Sequence, residues 1–122
     1  MLNILSVGLG GFLGAVCRYL IGLIPGKEAL VFPIKTFGIN ILGCLVIGII
    51  AAWAAKNDAV SPQLLLFLKV GLCGGFTTFS SFALETADLV KAGHILPALI
   101  YVLGSVLVGV AIIFAVEYVG IK

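Results

Sequence analysis

Long apolar runs broken by short polar turns dominate the chain. They extend over residues 2–24, 33–55, 62–90 and 95–119, separated by Pro25-Gly26-Lys27-Glu28, Lys56-Asn57-Asp58 and Lys91-Ala92-Gly93-His94. A bilayer core about 30 Å thick takes roughly 20 apolar residues per helical span, so the pattern predicts four transmembrane helices joined by short loops. Pro25-Gly26 stops the first helix, and Ser61-Pro62 sets an N-cap before a proline at the first helical position of the third. The fold class is all-α: one four-span membrane domain, with no room for a domain outside the bilayer.

The third run is the irregular one. Its 29 residues would make a straight helix of about 43 Å, longer than the hydrocarbon is thick. Its middle reads Gly74-Gly75-Phe76-Thr77-Thr78-Phe79-Ser80-Ser81-Phe82, where paired glycines weaken helix and hydroxyls offer the backbone substitute partners. The expectation is a broken helix. Non-helical backbone survives at membrane depth only inside protein or beside a water-filled path, which makes this stretch the first candidate for ion binding. Gly10 with Gly14, and Gly71 with Gly75, show the small-xxx-small spacing of close helix packing, and for the first pair packing is the preferred reading.

Composition agrees with lipid as the solvent: 62% of the 122 residues are hydrophobic and only 10% are charged, too few to cover a water-soluble globule. The apolar start lacks the basic residues of a secretory signal, so it is read as a retained helix. Cys17, Cys44 and Cys73 lie in separate spans and match neither a disulfide framework nor a metal site. The net charge of +2 gives no reason to expect nucleic acid. Lys56, Lys69 and Lys122 fall on one side of a four-span layout and Arg18, Lys27, Lys35 and Lys91 on the other. Three against four leaves the positive-inside rule little to act on. Insertion in both orientations, and an antiparallel homodimer, become plausible. Four helices enclose little beyond their own side chains, so a path for an ion calls for two copies.

Polar residues within spans are few, and they mark candidate sites. Thr36, Asn40 and Cys44 recur every four residues along one face of the second span, with Gly43 beside them. Tyr101 and Ser105 share a face of the fourth; the third adds Thr77, Thr78, Ser80, Ser81 and, farther on, Glu85. Nearly all donate hydrogen bonds, and the midspan inventory holds no carboxylate, which suits an anion. Phe79 and Phe82 lie three apart, and phenyl rings turned edge-on present their partly positive rims. Arg18 is read as a structural anchor with an electrostatic side effect, Glu85 as the partner of a basic or amide group, and His94 is given no role. No phosphate-binding glycine loop, nucleophile with its base, or metal cluster is found, so the chain is read as a passive transporter and not an enzyme.

Three stretches closely resemble the Fluc (CrcB) family of fluoride channels, over essentially the whole chain. They are Gly10-Gly11-Phe12-Leu13-Gly14-Ala15-Val16-Cys17-Arg18-Tyr19, Thr36-Phe37-Gly38-Ile39-Asn40-Ile41-Leu42-Gly43, and Gly71-Leu72-Cys73-Gly74-Gly75-Phe76-Thr77-Thr78-Phe79-Ser80-Ser81-Phe82. One departure is Ser81, where the family often has threonine; the hydroxyl survives and a methyl is lost. The resemblance implies a dual-topology homodimer in the cell inner (plasma) membrane with two antiparallel fluoride pores. Phe79, Phe82 and Asn40 would line each pore, and the hydroxyls of Ser81, Tyr101 and Ser105 would continue the track. It further implies a structural sodium ion on the two-fold axis, held by the backbone carbonyls of Gly74 and Thr77 from both subunits. The family lets cytoplasmic fluoride leak out down its electrochemical gradient. Two rivals remain at this point. A small multidrug-type proton antiporter would need a membrane-embedded acid, whereas Glu28, Asp58, Glu85, Asp88 and Glu117 read as loop or span-end residues. A non-transporting membrane subunit would use its polar residues only to bind helices together.

Overall fold

A computed structural model of the protein describes residues 1–26 and 31–121. Lys27, Glu28 and Lys122, which enter the loop and charge readings above, lie outside the described residues. Four stretches are long and apolar enough to cross a membrane: Leu2–Gly22, Ile34–Ala55, Pro62–Lys91 and Ile95–Gly120. All regular structure among the described residues is helical.

Helix α1 is Leu2–Gly22 and α2 is Ile34–Ala55. The third span comes in two parts, α3 (residues 62–76) and α4 (Phe79–Lys91), and α5 is Ile95–Ile121. Ser61 caps α3, its hydroxyl accepting from the Leu64 amide at 3.1 Å, with Pro62 in the first turn. At the far end of the span the Gly93 amide donates to Val90 and the His94 amide to Leu89, a Schellman closure around Gly93 at φ +85°. His94 thus contributes through its backbone.

Glycine sets how the halves of the bundle pack. A Cβ on Gly10 would collide with the Phe67 carbonyl and stand 2.9 Å from Gly71 Cα; one on Gly75 would stand 2.6 Å from the Gly11 carbonyl. Positions 10 and 14 of α1 meet 71 and 75 of α3 in the same order, so these helices run parallel with their backbones almost touching. Helices α2 and α5 also run parallel to each other, Gly104 facing Phe37, Gly109 facing Cys44, and Gly120 facing Ala52. The inward-facing core is small: Ile39, Ile50, Cys73, Leu89, Ala98 and Tyr101 are its buried apolar residues. Most other large apolar side chains face outward, as a chain solvated by lipid requires.

One feature carries no sequence signature. Over Leu66–Cys73 the coil widens to a π-helix, and the Gly74 amide reaches back five residues to the Lys69 carbonyl. This stretch lies against α1 at its glycines.

Candidate functional site

After the single turn Gly74–Phe76, Thr77 (φ −82°, ψ 160°) and Thr78 (φ −149°, ψ 118°) leave the helical region, and the chain turns helical again at Phe79. Several of the backbone groups freed there have replacement partners. The Asn40 amide clamps Thr78 on both sides, Oδ1 accepting from its N–H at 2.9 Å and Nδ2 donating to its carbonyl at 3.1 Å. The Thr78 hydroxyl accepts from the Ser81 amide at 3.2 Å and so caps α4. Thr77 folds its hydroxyl back onto the Cys73 carbonyl at 2.9 Å, and its methyl fills the space that Gly43 leaves open. Arg18 spans from α1 to donate to the Gly75 carbonyl at 3.4 Å.

These substitutions expose two carbonyls. In a continuous helix the Thr78 amide would close on Gly74 and the Ser81 amide on Thr77. Both amides point elsewhere, to Asn40 and to the Thr78 hydroxyl, so the Gly74 and Thr77 carbonyls lose their usual helical donors.

A cavity of about 400 Å³ opens beside the interruption, lined among others by Asn40, Thr77, Thr78, Phe79, Phe82 and Ser105. The Phe79 and Phe82 rings stand 5.7 Å apart, tilted by 52°, and Phe79 projects with 78% of its surface exposed. The Ser105 hydroxyl oxygen is buried and has no hydrogen-bond partner among the described residues. A buried hydroxyl without a partner costs free energy unless something occupies the space beside it.

Other expected pore residues lie elsewhere. Ser81 lines a different cavity, with Arg18, Lys35, Thr36, Thr78 and Glu85, on the side where α1 ends and α2 begins. Tyr101 lines neither cavity: it is fully buried, and its hydroxyl donates to Glu85 Oε1 at 3.0 Å. Its ring packs edge-on against Phe82 at 4.9 Å and Phe32 at 5.4 Å. Thr36 donates to the other carboxylate oxygen of Glu85 at 2.9 Å. The partners of Glu85 are therefore two hydroxyls, not the basic or amide group expected from sequence. Glu85 is half-buried, in the second half of α4, which ends at Lys91. Two donors counted toward an anion, Thr36 and Tyr101, are committed to this carboxylate. Lys69, counted only as a loose charge in the sequence, lines the same cavity as Asn40 and Phe79.

The chain matches the family model described as "CrcB-like protein, Camphor Resistance (CrcB)" over residues 5–117. It is 44% identical over 115 residues to a protein of Chlorobaculum tepidum named "Fluoride-specific ion channel FluC", covering 94% of this chain and 91% of that one. Proteins of the same name from Flavobacterium psychrophilum (46% over 110 residues, 89% of each chain) and Paracoccus denitrificans (45% over 116 residues, 95% and 92%) are similar along nearly their whole length.

Proposed function

The chain belongs to the CrcB family, and on that premise we propose that it is a fluoride-selective channel. It is a multi-pass protein of the cell membrane and no enzyme, and it lets cytoplasmic fluoride leave down its electrochemical gradient, which confers fluoride resistance. The observation that carries the reading is the buried, partnerless hydroxyl of Ser105 on a cavity shared with Asn40 and the Phe79–Phe82 pair. Fluoride is small and hard, and a dry path must replace its water with donors. Ser105 has a free O–H, Asn40 keeps a second N–H beyond the one given to Thr78, and the phenyl rims add positive edges. No acid lines this cavity among the described residues. A proton antiporter would need a carboxylate free to exchange its proton, whereas both oxygens of Glu85 are hydrogen-bonded.

The same cavity supports an antiparallel homodimer of dual topology with two pores. In a single subunit its polar lining and the exposed Phe79 ring would meet hydrocarbon, where unsatisfied polar groups are costly. A second copy closes the cavity with protein. The Gly74 and Thr77 carbonyls, lacking helical donors, suit a structural sodium ion between the copies, because hard oxygens replace the water of a hard cation. Bound there, sodium would hold the two interrupted helices together.

The test is fluoride efflux. Purified protein in liposomes loaded with potassium fluoride is followed with a fluoride electrode after valinomycin releases the counter-charge. Release at a rate set by protein content is expected; release no faster than from protein-free liposomes refutes the channel.

A further inference from the structure

We propose that Lys69 is the positive charge that draws fluoride into the Phe79–Phe82 cavity from the side of the loop between α2 and α3. The inference rests on the channel reading and adds to it a specificity-determining residue. Three observations place it there. Lys69 lines the cavity together with Asn40, Phe79, Phe82 and Ser105, and among the described residues it is the only charged side chain to do so. Lysine side chains on a helix lean toward its N-terminus, and Lys69 lies seven residues, about 10 Å, beyond the start of α3. That tendency favours an ammonium directed toward the loop between α2 and α3.

The third observation is that this cation is uncommitted. Arg18 is held by the Gly75 carbonyl and Lys35 by the Gly22 carbonyl at 3.0 Å, and both line a different cavity. Lys69, though half-buried, makes no hydrogen bond or ion pair with any described residue. The π-helical coil spanning it brings the amide of Gly74 back to the Lys69 carbonyl, so Lys69 sits one wide turn before Gly74 and about two turns before the break at Thr77 and Thr78. A lysine without a counter-ion among the described residues, on the wall of a cavity lined by donors, favours an anion there. Charge focused by low-dielectric walls raises the local anion concentration and the rate of capture.

The experiment compares wild-type protein with Lys69→Met, which keeps the stem, and Lys69→Arg, which keeps the charge, in the liposome efflux assay. Flux is read at low fluoride in about 10 mM and about 1 M impermeant salt, where the Debye length is about 30 Å and 3 Å. Lys69→Met is expected to lower flux about tenfold or more in low salt, the gap closing in high salt, with Lys69→Arg near wild type. Equal flux of Lys69→Met and wild type in low salt overturns the proposal. So does a deficit that salt leaves unchanged, or one that Lys69→Arg shares, since neither is what the loss of a screened, long-range positive charge would produce. Should Lys69→Met fail to assemble in size-exclusion chromatography, Lys69→Gln carries the same comparison. Absence of efflux from the wild-type protein is a separate result, which ends the channel reading itself.

Discussion

Replacing Asn40 tests the interruption of the third span directly. Asn40→Ala removes both hydrogen bonds to Thr78 and leaves its N–H and carbonyl to find other partners. If neither does, two buried backbone groups go unpaired at about 1–3 kcal/mol each, a loss of about 2–6 kcal/mol. If the Thr78 amide swings back onto the Gly74 carbonyl, one group is rescued and the loss falls to about 1–3 kcal/mol. Asn40→Asp separates holding the backbone from passing an anion. Its carboxylate can still accept from the Thr78 amide, so more stability survives than in Asn40→Ala. A negative charge about 4 Å from a fluoride ion, however, costs about 4 kcal/mol at an effective dielectric constant of 20, close to three decades in occupancy. Unfolding in mixed micelles with rising dodecyl sulfate gives the free energies, amide hydrogen exchange reports on Thr78, and the liposome assay gives flux. Asn40→Ala with wild-type stability and an equally protected Thr78 amide would show that the clamp does not hold the break. Wild-type flux through Asn40→Asp at neutral pH would remove Asn40 from the path.

Phe79→Ile and Phe82→Ile should each suppress efflux while size-exclusion chromatography still shows assembled protein; flux equal to wild type would take the rings out of the path. Gly14→Ala places a Cβ against the Leu72 carbonyl and 2.7 Å from the Phe76 amide, whereas Gly8→Ala meets nothing within 4 Å. Thermal stability in detergent should drop for the first, by the equivalent of about 1–3 kcal/mol, and hold for the second. Equal stability of the two would contradict the close approach of α1 and α3. Tyr101→Phe loses a hydrogen bond to a charged group, about 1.5–3 kcal/mol in the same unfolding measurement, yet should conduct like wild type because its hydroxyl faces Glu85. Abolished flux in that variant would return the hydroxyl to the pore.

The four spans were legible because lipid demands long apolar runs, and a run of that length has no other economical reading. Gly74-Gly75 followed by hydroxyls weakens helix and supplies substitutes for its bonds at once, and the two residues that follow Phe76 have extended dihedrals. The partners of the polar side chains were not legible. A spacing of four puts Thr36, Asn40 and Cys44 on one stripe, but it leaves open how the helix is rotated against its neighbours. Thr36 turned out to face Glu85 and Asn40 to face Thr78. An amide both donates and accepts, so its presence could not tell whether it would bind an ion or hold backbone; Asn40 holds backbone with one donor to spare. Tyr101 and Ser105 share a face four residues apart, yet only Ser105 reaches the cavity. The tyrosine ring is long enough for its hydroxyl to reach the carboxylate on α4. The wide coil at Leu66–Cys73 left no trace in the residue pattern, because no side chain marks it.

That wide coil acts as a gearbox between the two halves of the third span. Its slack turns decide the compass bearing at which everything downstream emerges, because each residue advances an ordinary helix by about 100°. Deleting one amino acid between 66 and 73 would let the coil tighten to an ordinary helix and absorb the loss, leaving Phe79 and Phe82 near their present bearing, whereas the same deletion in Gly74–Phe76 would swing both rings by about 100°.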